Sequence, residues 1–174
     1  MAKKALLVID MLNDFVKRGA PLEVPSARGI VRNIRRELEK ARRAGIPVIY
    51  CCDRHEPRDR EFEVWPPHAV RGTRGAEVVE ELRPARGEHV VAKKTYSAFY
   101  RTNLEKVLKR LGVKHLILTG VVTNICILYT AVDAYMRGYD VIVPEDCVAG
   151  FKRGDSLFAL RQIMEILRPC RSFL

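Results

Sequence analysis

The sequence lacks the patterns that mark several common protein classes. Its five cysteines include no C-x-x-C pair, so they fit neither a zinc ribbon nor a disulfide framework. The longest uncharged stretch, residues 115–132, is interrupted by threonine, glycine and asparagine and does not resemble a membrane span. Only residues 5–9 are apolar after Lys3 and Lys4, which is too short for the core of a secretory signal. We therefore expect a cytoplasmic protein with free thiols.

Motifs of several enzyme classes are missing as well. The chain has no G-x-S-x-G elbow, no G-x-G-x-x-G after its first strand-like run and no P-loop. His89 and His115 stand at the starts of strand-like runs, away from the strand ends at which a parallel sheet binds its ligands. A Cys–His catalytic pair is therefore not expected.

Charge of one sign is in excess, because 31 lysines and arginines face 21 aspartates and glutamates, a net charge of +10. Such an excess raises the alternative of a basic nucleic-acid-binding module. Yet the basic residues alternate with glutamate, as in RNIRRELEKARRAG at residues 32–45, which is typical of an ion-paired helix face. No RRM, KH or helix-turn-helix signature accompanies them. We expect neither nucleic acid nor a membrane as a partner.

The 174 residues, 48% hydrophobic and 30% charged, have the length and composition of one globular domain, taken as residues 1–174. Short runs rich in Val, Ile and Leu occur at residues 5–9, 47–52, 89–92, 115–120 and 140–144. Helical periodicity separates them at residues 26–45, 102–112 and 124–138, with a last helix near 155–167. This alternation predicts a three-layer α-β-α domain with a mostly parallel sheet of five or six strands, the sixth near residues 171–174.

Chemically useful side chains follow the predicted strands, at the edge where ligands bind in such sheets. Asp10 ends the first strand, Lys93 and Lys94 follow the third, and Cys126 lies just past the fourth. A cysteine in an apolar helix usually packs, but a carboxylate and a lysine on converging strand ends favour a nucleophile. The helix start and a nearby Lys93 are expected to lower the thiol pKa, and its amides could bind an oxyanion.

A second group of side chains follows the second strand. Asp53-x-His55 and a later His68 form a plausible metal site, since carboxylate with imidazole suits Zn, Mn or Fe. The alternative is that they are solvated loop residues. Further oxygen donors nearby are Glu56, Glu61 and Glu63. The single tryptophan, Trp65, could hold a planar substrate or plug the core, and further aromatic walls could come from Phe15, Tyr96 and Phe99.

Three motifs together resemble those of one enzyme family. They are D-x-x-x-D-F at residues 10–15, K-x-x-Y-S-A-F at 93–99 and G-V-x-T-x-x-C at 120–126. In this combination the chain resembles the isochorismatase-like cysteine hydrolases over nearly its whole length, and among them the nicotinamidases. Two positions depart from many nicotinamidases: Leu12 stands in place of Gln, and Ala69 in place of Cys.

The resemblance implies a role for each matching residue. The catalytic triad would be Asp10, Lys93 and Cys126, with Lys93 preferred to Lys94 because it stands four residues before Ser97. A cis peptide would join Val121 and Val122, and the amides of Val122 and Cys126 would form the oxyanion hole. The implied metal ligands are Asp53, His55, His68 and Glu61, and the implied substrate-binding residues are Phe15, Trp65 and Tyr96.

The activity implied by the resemblance is hydrolysis of nicotinamide to nicotinate and ammonia through a cysteine thioester, in NAD salvage. It further implies a divalent metal, zinc before manganese or iron, and a homo-oligomer. The alternatives are another amide or ureido hydrolase of the family, acting on ureidoacrylate, N-carbamoylsarcosine or biuret, or an isochorismatase.

Overall fold

A computed structural model describes residues 3–167 of the chain. The strands are β1 (Lys3–Ile9), β2 (Val48–Asp53), β3 (His89–Lys93), β4 (Val113–Val121), β5 (Asp140–Ile142) and β6 (Val148–Ala149). The α-helices are α1 (Asn13–Val16), α2 (Ala27–Arg43), α3 (Leu104–Leu111), α4 (Leu128–Met136) and α5 (Arg153–Ile166). The sheet is parallel in the order β3-β2-β1-β4-β5, and β6 pairs with the end of β4. The predicted α/β class is confirmed.

The sheet is buried on both faces, as its near-continuous apolar strands predict. On β1, Ala5, Leu7 and Ile9 face the layer formed by α3, α4 and α5. Leu6 and Val8 face the opposite layer, into which α2 buries its apolar stripe. Alternate residues of one strand therefore reach two separate cores, which fixes the three-layer arrangement.

The long helix α2 has the ion-paired face that its sequence predicts. Its stripe of Ile30, Ile34, Leu38 and Ala41 is buried against the sheet. Its exposed face carries the pairs Arg35–Glu39, Arg36–Asp146, Lys40–Glu37 and Arg42–Glu88. Much of the basic excess on this face is thus neutralised by neighbouring carboxylates, as the alternation of basic residues with glutamate predicts.

Some predicted elements differ from the observed ones. Residues 124–138 do not form one regular helix, because a π-helical turn at Thr123–Ile127 precedes α4. The sixth strand is β6, whereas the strand predicted near residues 171–174 lies outside the described residues. The short helix α1 was not predicted. Within residues 3–167, no helix is long and apolar enough to cross a membrane.

The first and fourth strands are packed tightly together at their carboxyl ends. Gly120 has φ +114°, and a Cβ there would overlap the carbonyl oxygen of Ile9. Only glycine lets the backbone of β4 pass so close to β1. The residues that follow these two strands, Asp10 and the turn leading to Cys126, are thereby brought side by side.

Candidate active site

The carboxyl edge of the sheet brings Asp10, Lys93 and Cys126 together in the interior. Lys93 Nζ lies 2.7 Å from Asp10 Oδ2 and 3.5 Å from Cys126 Sγ. It also donates to Asp53 Oδ1 at 2.7 Å and to the carbonyl oxygen of Thr95 at 3.0 Å. All three side chains are buried. A buried ammonium is tolerated here because carboxylates flank it on two sides.

Burial and mutual charge set the protonation of this group. Burial, with the neighbouring Asp53 charge, raises the pKa of Asp10 to about 6. Burial would lower the pKa of Lys93, but the carboxylates of Asp10 and Asp53 raise it well above its usual range. Lys93 therefore stays protonated, while Asp10 can exchange a proton near neutral pH.

The pKa of the Cys126 thiol differs from the one that the sequence predicts. Burial raises the pKa of Cys126 well above its usual value, although Lys93 acts in the lowering direction. The expectation of a lowered thiol pKa was wrong, because it considered the helix start and Lys93 but not complete burial. The Cys126 side chain is consequently a thiol at rest, and it would need a base beside it to act as a nucleophile.

The turn that carries the nucleophile has an unusual backbone. The peptide bond between Val121 and Val122 is cis, as the family resemblance implies. The carbonyl oxygen of Val122 accepts hydrogen bonds from the amides of Ile125, at 3.0 Å, and Ile127, at 3.2 Å. Val122 and Cys126, the two residues predicted to form the oxyanion hole, both line the same cleft.

Beside the triad, Asp53, His55 and His68 form a buried group whose ligand atoms lie within 4.8 Å of one another. His68 Nδ1 lies 2.7 Å from the carbonyl oxygen of Pro66, which leaves Nε2 directed toward Asp53 Oδ2 at 3.8 Å. His55 Nδ1 faces Asp59 at 3.3 Å, and its buried Nε2 has no hydrogen-bond partner. Two imidazole nitrogens and a carboxylate oriented in this way fit a divalent metal.

Glu61 lines the same cleft as Asp53 and His68 but lies outside the tight donor group. Burial, with the Asp53 charge, raises its pKa. Phe62, which the sequence did not single out, packs its ring 5.2 Å from that of His55 and 5.7 Å from that of His68. The other acidic candidates point away: Glu56 pairs with Arg71 and Glu63 with Arg60.

A narrow cleft is lined by Cys126 together with Asp53, Glu61 and His68. Its aromatic and aliphatic walls are Phe15, Leu22, Trp65, Tyr96, Ile125 and Phe151. Trp65 stacks on Phe151 with ring centroids 5.9 Å apart, and its Nε1 donates to the hydroxyl of Tyr96 at 3.2 Å. These walls leave only a narrow space beside the thiol, and their flat aromatic faces suit a small planar molecule.

Not every aromatic residue proposed from the sequence reaches the cleft. Phe99 packs in the core against Tyr139, with centroids 5.8 Å apart. Leu22, Ile125 and Phe151 do reach the cleft, and apolar side chains such as these carry no chemical signal that a sequence could reveal. Leu12 and Ala69, the two departures from the nicotinamidase pattern, are fully buried. Neither of them lines the cleft.

Together, the three-layer α-β-α fold and a buried Asp–Lys–Cys group at the carboxyl edge of its sheet define an α/β cysteine hydrolase. A family model described as "Isochorismatase domain" matches residues 4–172. The chain belongs to the isochorismatase family, whose cysteine hydrolases act on amides.

Solved structures give the same assignment and differ in substrate. Nicotinamidase/pyrazinamidase PncA from Bacillus subtilis is 32% identical with a TM-score of 0.92, covering 96% of this chain and 97% of the other. N-carbamoylsarcosine amidase from Thermoplasma acidophilum is 37% identical with a TM-score of 0.88, covering 96% and 94%. Pyrazinamidase of Pyrococcus horikoshii, solved in complex with zinc, is 32% identical with a TM-score of 0.86, covering 92% and 94%.

Proposed function

We propose that the protein is an amidohydrolase that converts nicotinamide to nicotinate and ammonia. The observation that carries this proposal is the small aromatic cleft, which is lined by Cys126 and by Asp53 and His68 of the metal-type group. A planar ring carrying a carboxamide has the right shape to place its amide carbon at the thiol while its ring nitrogen faces the metal-type donors.

The charges around the cleft favour a neutral substrate. Ureidoacrylate, N-carbamoyl amino acids and isochorismate all carry a carboxylate, which is commonly recognised by an arginine or an unpaired lysine. None of the described residues lining this cleft is basic except His68, and two of them are the acids Asp53 and Glu61. Lys93 lies behind the lining and is already paired with Asp10 and Asp53. Nicotinamide needs no such cation.

Acylation begins with a proton transfer. Asp10 accepts the proton of the Cys126 thiol, and the ammonium of Lys93 stabilises the thiolate. The thiolate attacks the amide carbon, and the amides of Val122 and Cys126 bind the negative charge that develops on oxygen. As the carbon–nitrogen bond breaks, Asp10 gives its proton to the leaving nitrogen, which departs as ammonia.

Deacylation reuses the same groups. A water molecule attacks the thioester carbon while Asp10 takes one of its protons. The carbon–sulfur bond then breaks, nicotinate is released, and Asp10 returns the proton to the Cys126 sulfur. The balance over the cycle is one amide and one water consumed, with one carboxylic acid and one ammonia formed.

The residues that would hold a divalent metal are Asp53, His55 and His68, with Glu61 as a fourth donor, and zinc is our first choice before manganese or iron. When bound, the metal would supply a Lewis-acidic partner for the ring nitrogen, directly or through water. The chain itself fixes the histidine tautomers through Pro66 and Asp59. Metal analysis of the purified protein tests this part of the proposal.

A second candidate is a ureido or other amide hydrolase of the same family, and its support is the 37% identity to an N-carbamoylsarcosine amidase. An isochorismatase is a further alternative. Ammonia release from nicotinamide, pyrazinamide, biuret, ureidoacrylate and N-carbamoylsarcosine separates the amide and ureido substrates, and a parallel assay of isochorismate cleavage covers the last. Turnover of a ureido compound with none of nicotinamide would overturn our first choice.

The cellular role that we propose is NAD salvage in the cytoplasm, where nicotinate returns to cofactor synthesis.

We also propose that the protein is a homo-oligomer. Two copies that each carry a charge of +10 repel one another, so contact is favoured where the surface is apolar. Exposed apolar side chains gather on α4 and α5, at Tyr129, Tyr135, Met136, Leu157, Phe158, Met164 and Ile166. Light scattering of the wild type and of Phe158→Glu tests this assembly, and a monomeric wild type contradicts it.

A further inference from the structure

One residue of the first motif has no part in the proposed reaction. D-x-x-x-D-F contains Asp10, which belongs to the triad, and Asp14, which does not line the cleft. Asp14 lies on the short helix α1, and its side chain turns toward the loop that carries His68. The Asp14 carboxylate therefore contacts the residue next to His68, a metal-type ligand, although it has no part in the proposed reaction.

The backbone next to His68 is strained. Ala69 is buried and has φ +46°, a left-handed conformation that costs free energy for a residue with a Cβ. Its amide donates to Asp14 Oδ2 at 2.9 Å. Its carbonyl oxygen accepts from the amide of His55 at 3.0 Å. Ala69 is therefore held at both its amide and its carbonyl, by α1 on one side and by a second metal-type ligand on the other.

The backbone at Gly75, in the same loop, also packs closely against the Asp14 carboxylate. A Cβ at Gly75 would overlap that carboxylate, so the chain passes Asp14 at a distance only glycine permits. The neighbouring Asn13 fixes the same segment, since its Nδ2 donates to the carbonyl oxygen of Arg74 at 2.8 Å. Helix α1 thus anchors the loop both at Ala69 and at residues 74–75.

We infer that Asp14 is a positioning residue for the metal site: by accepting the Ala69 amide, it holds the left-handed turn that directs His68 toward Asp53. This inference rests on the metal site of the proposed function. It assigns no contact with substrate to Asp14. What matters is the acceptor oxygen, because the hydrogen bond to Ala69 needs an oxygen and not a negative charge.

The test compares Asp14→Ala with Asp14→Asn, which keeps an acceptor oxygen of the same reach. Zinc affinity is measured by competition with a chromophoric chelator. Loss of a group that orients a ligand costs about 10–100-fold in metal affinity, and we expect this loss for Asp14→Ala. Asp14→Asn should bind zinc nearly as tightly as the wild type. Gly75→Ala, which displaces the carboxylate without removing it, should weaken zinc binding in the same direction.

Asp155→Ala is the control, since Asp155 is an exposed acid in the first turn of α5. A second readout needs no metal: hydrogen exchange of the segment 66–72 should speed up in Asp14→Ala and stay slow in Asp14→Asn. Zinc affinity of Asp14→Ala equal to that of the wild type overturns the inference. So does an Asp14→Asn variant as defective as Asp14→Ala, or unchanged exchange in both. A wild type that binds zinc but does not hydrolyse nicotinamide contradicts the proposed substrate alone.

Discussion

Asp53 places one carboxylate oxygen 2.7 Å from the ammonium of Lys93 and the other 3.8 Å from Nε2 of His68. One side chain is thus shared by the triad and by the metal-type donors. Lys93 and His55 act to lower the pKa of Asp53 against its complete burial, so the carboxylate stays ionised. The groups that we propose for catalysis and for metal binding are consequently parts of one buried charge network.

Removal of a bound metal should weaken substrate binding more than it affects the nucleophile. The contact between Asp10 and Lys93 needs no metal, whereas the metal that we propose at Asp53, His55 and His68 would bind the ring nitrogen of the substrate. After dialysis against a chelator, we expect KM for nicotinamide to rise, while iodoacetamide still alkylates Cys126 at a similar rate. Mass spectrometry of the alkylated protein and steady-state kinetics before and after zinc is restored check this. If removal of the metal leaves KM unchanged, the metal has no role in substrate orientation.

Replacement of Cys126 by alanine should abolish turnover, because no other described thiol lies in the cleft. We expect a fall in kcat of at least about three orders of magnitude, as for other enzymes that lose their nucleophile. Cys147→Ala is the matched control, since Cys147 is also buried but packs in the layer of α2. Ammonia release with stoichiometric metal present is the measurement. Measurable turnover by Cys126→Ala would show that the thioester mechanism is wrong.

Much of the architecture follows from the residues alone, because buried parallel strands need apolar side chains on both faces and end in polar ones. That rule located β1 to β5 and placed Asp10, Lys93 and Cys126 at one edge of the sheet. The apolar cleft residues Leu22, Ile125 and Phe151 could not be found in this way. Their function depends on which loop covers the strand ends. In a sequence, an apolar residue that lines a cleft cannot be distinguished from one that packs in the hydrophobic core.

The ionisation of the buried Cys126 thiol could not be predicted from the sequence either. The pattern around Cys126 contains the features that lower a thiol pKa, but it does not report burial, which here has the larger effect. The role of Asp14 was also out of reach. It depends on the left-handed conformation of Ala69, 55 residues away along the chain.

Loss of the Lys93 charge should destabilise the fold as well as abolish activity. Lys93→Met would leave Asp10 and Asp53 buried without their cation, and breaking a buried pair in this way typically costs about 3–5 kcal/mol. Lys94→Met is the control, since Lys94 is exposed and its ammonium pairs with Asp59. We expect a lower midpoint in urea unfolding for Lys93→Met and little change for Lys94→Met. Equal midpoints for the two variants would contradict the stabilising role of the buried ammonium.

A cation introduced at the cleft should change which amides are hydrolysed. Leu22 is half-buried in the cleft lining, so Leu22→Arg can bring a guanidinium to the opening without replacing a core residue. If the absence of such a cation excludes acidic substrates, the variant should gain kcat/KM for N-carbamoylsarcosine and lose it for nicotinamide. We expect the ratio of the two to move by at least about tenfold, the effect of one charge-assisted hydrogen bond.

Leu22→Met controls for the change of side-chain length in this experiment, because it keeps the cleft uncharged, and its selectivity should remain near that of the wild type. Both variants are assayed for ammonia release from both substrates, at low and at high salt. Because salt screens exposed charges, a gain that depends on the guanidinium should shrink as ionic strength rises. An unchanged ratio in Leu22→Arg would mean that the shape of the cleft, and not its charge, selects the substrate.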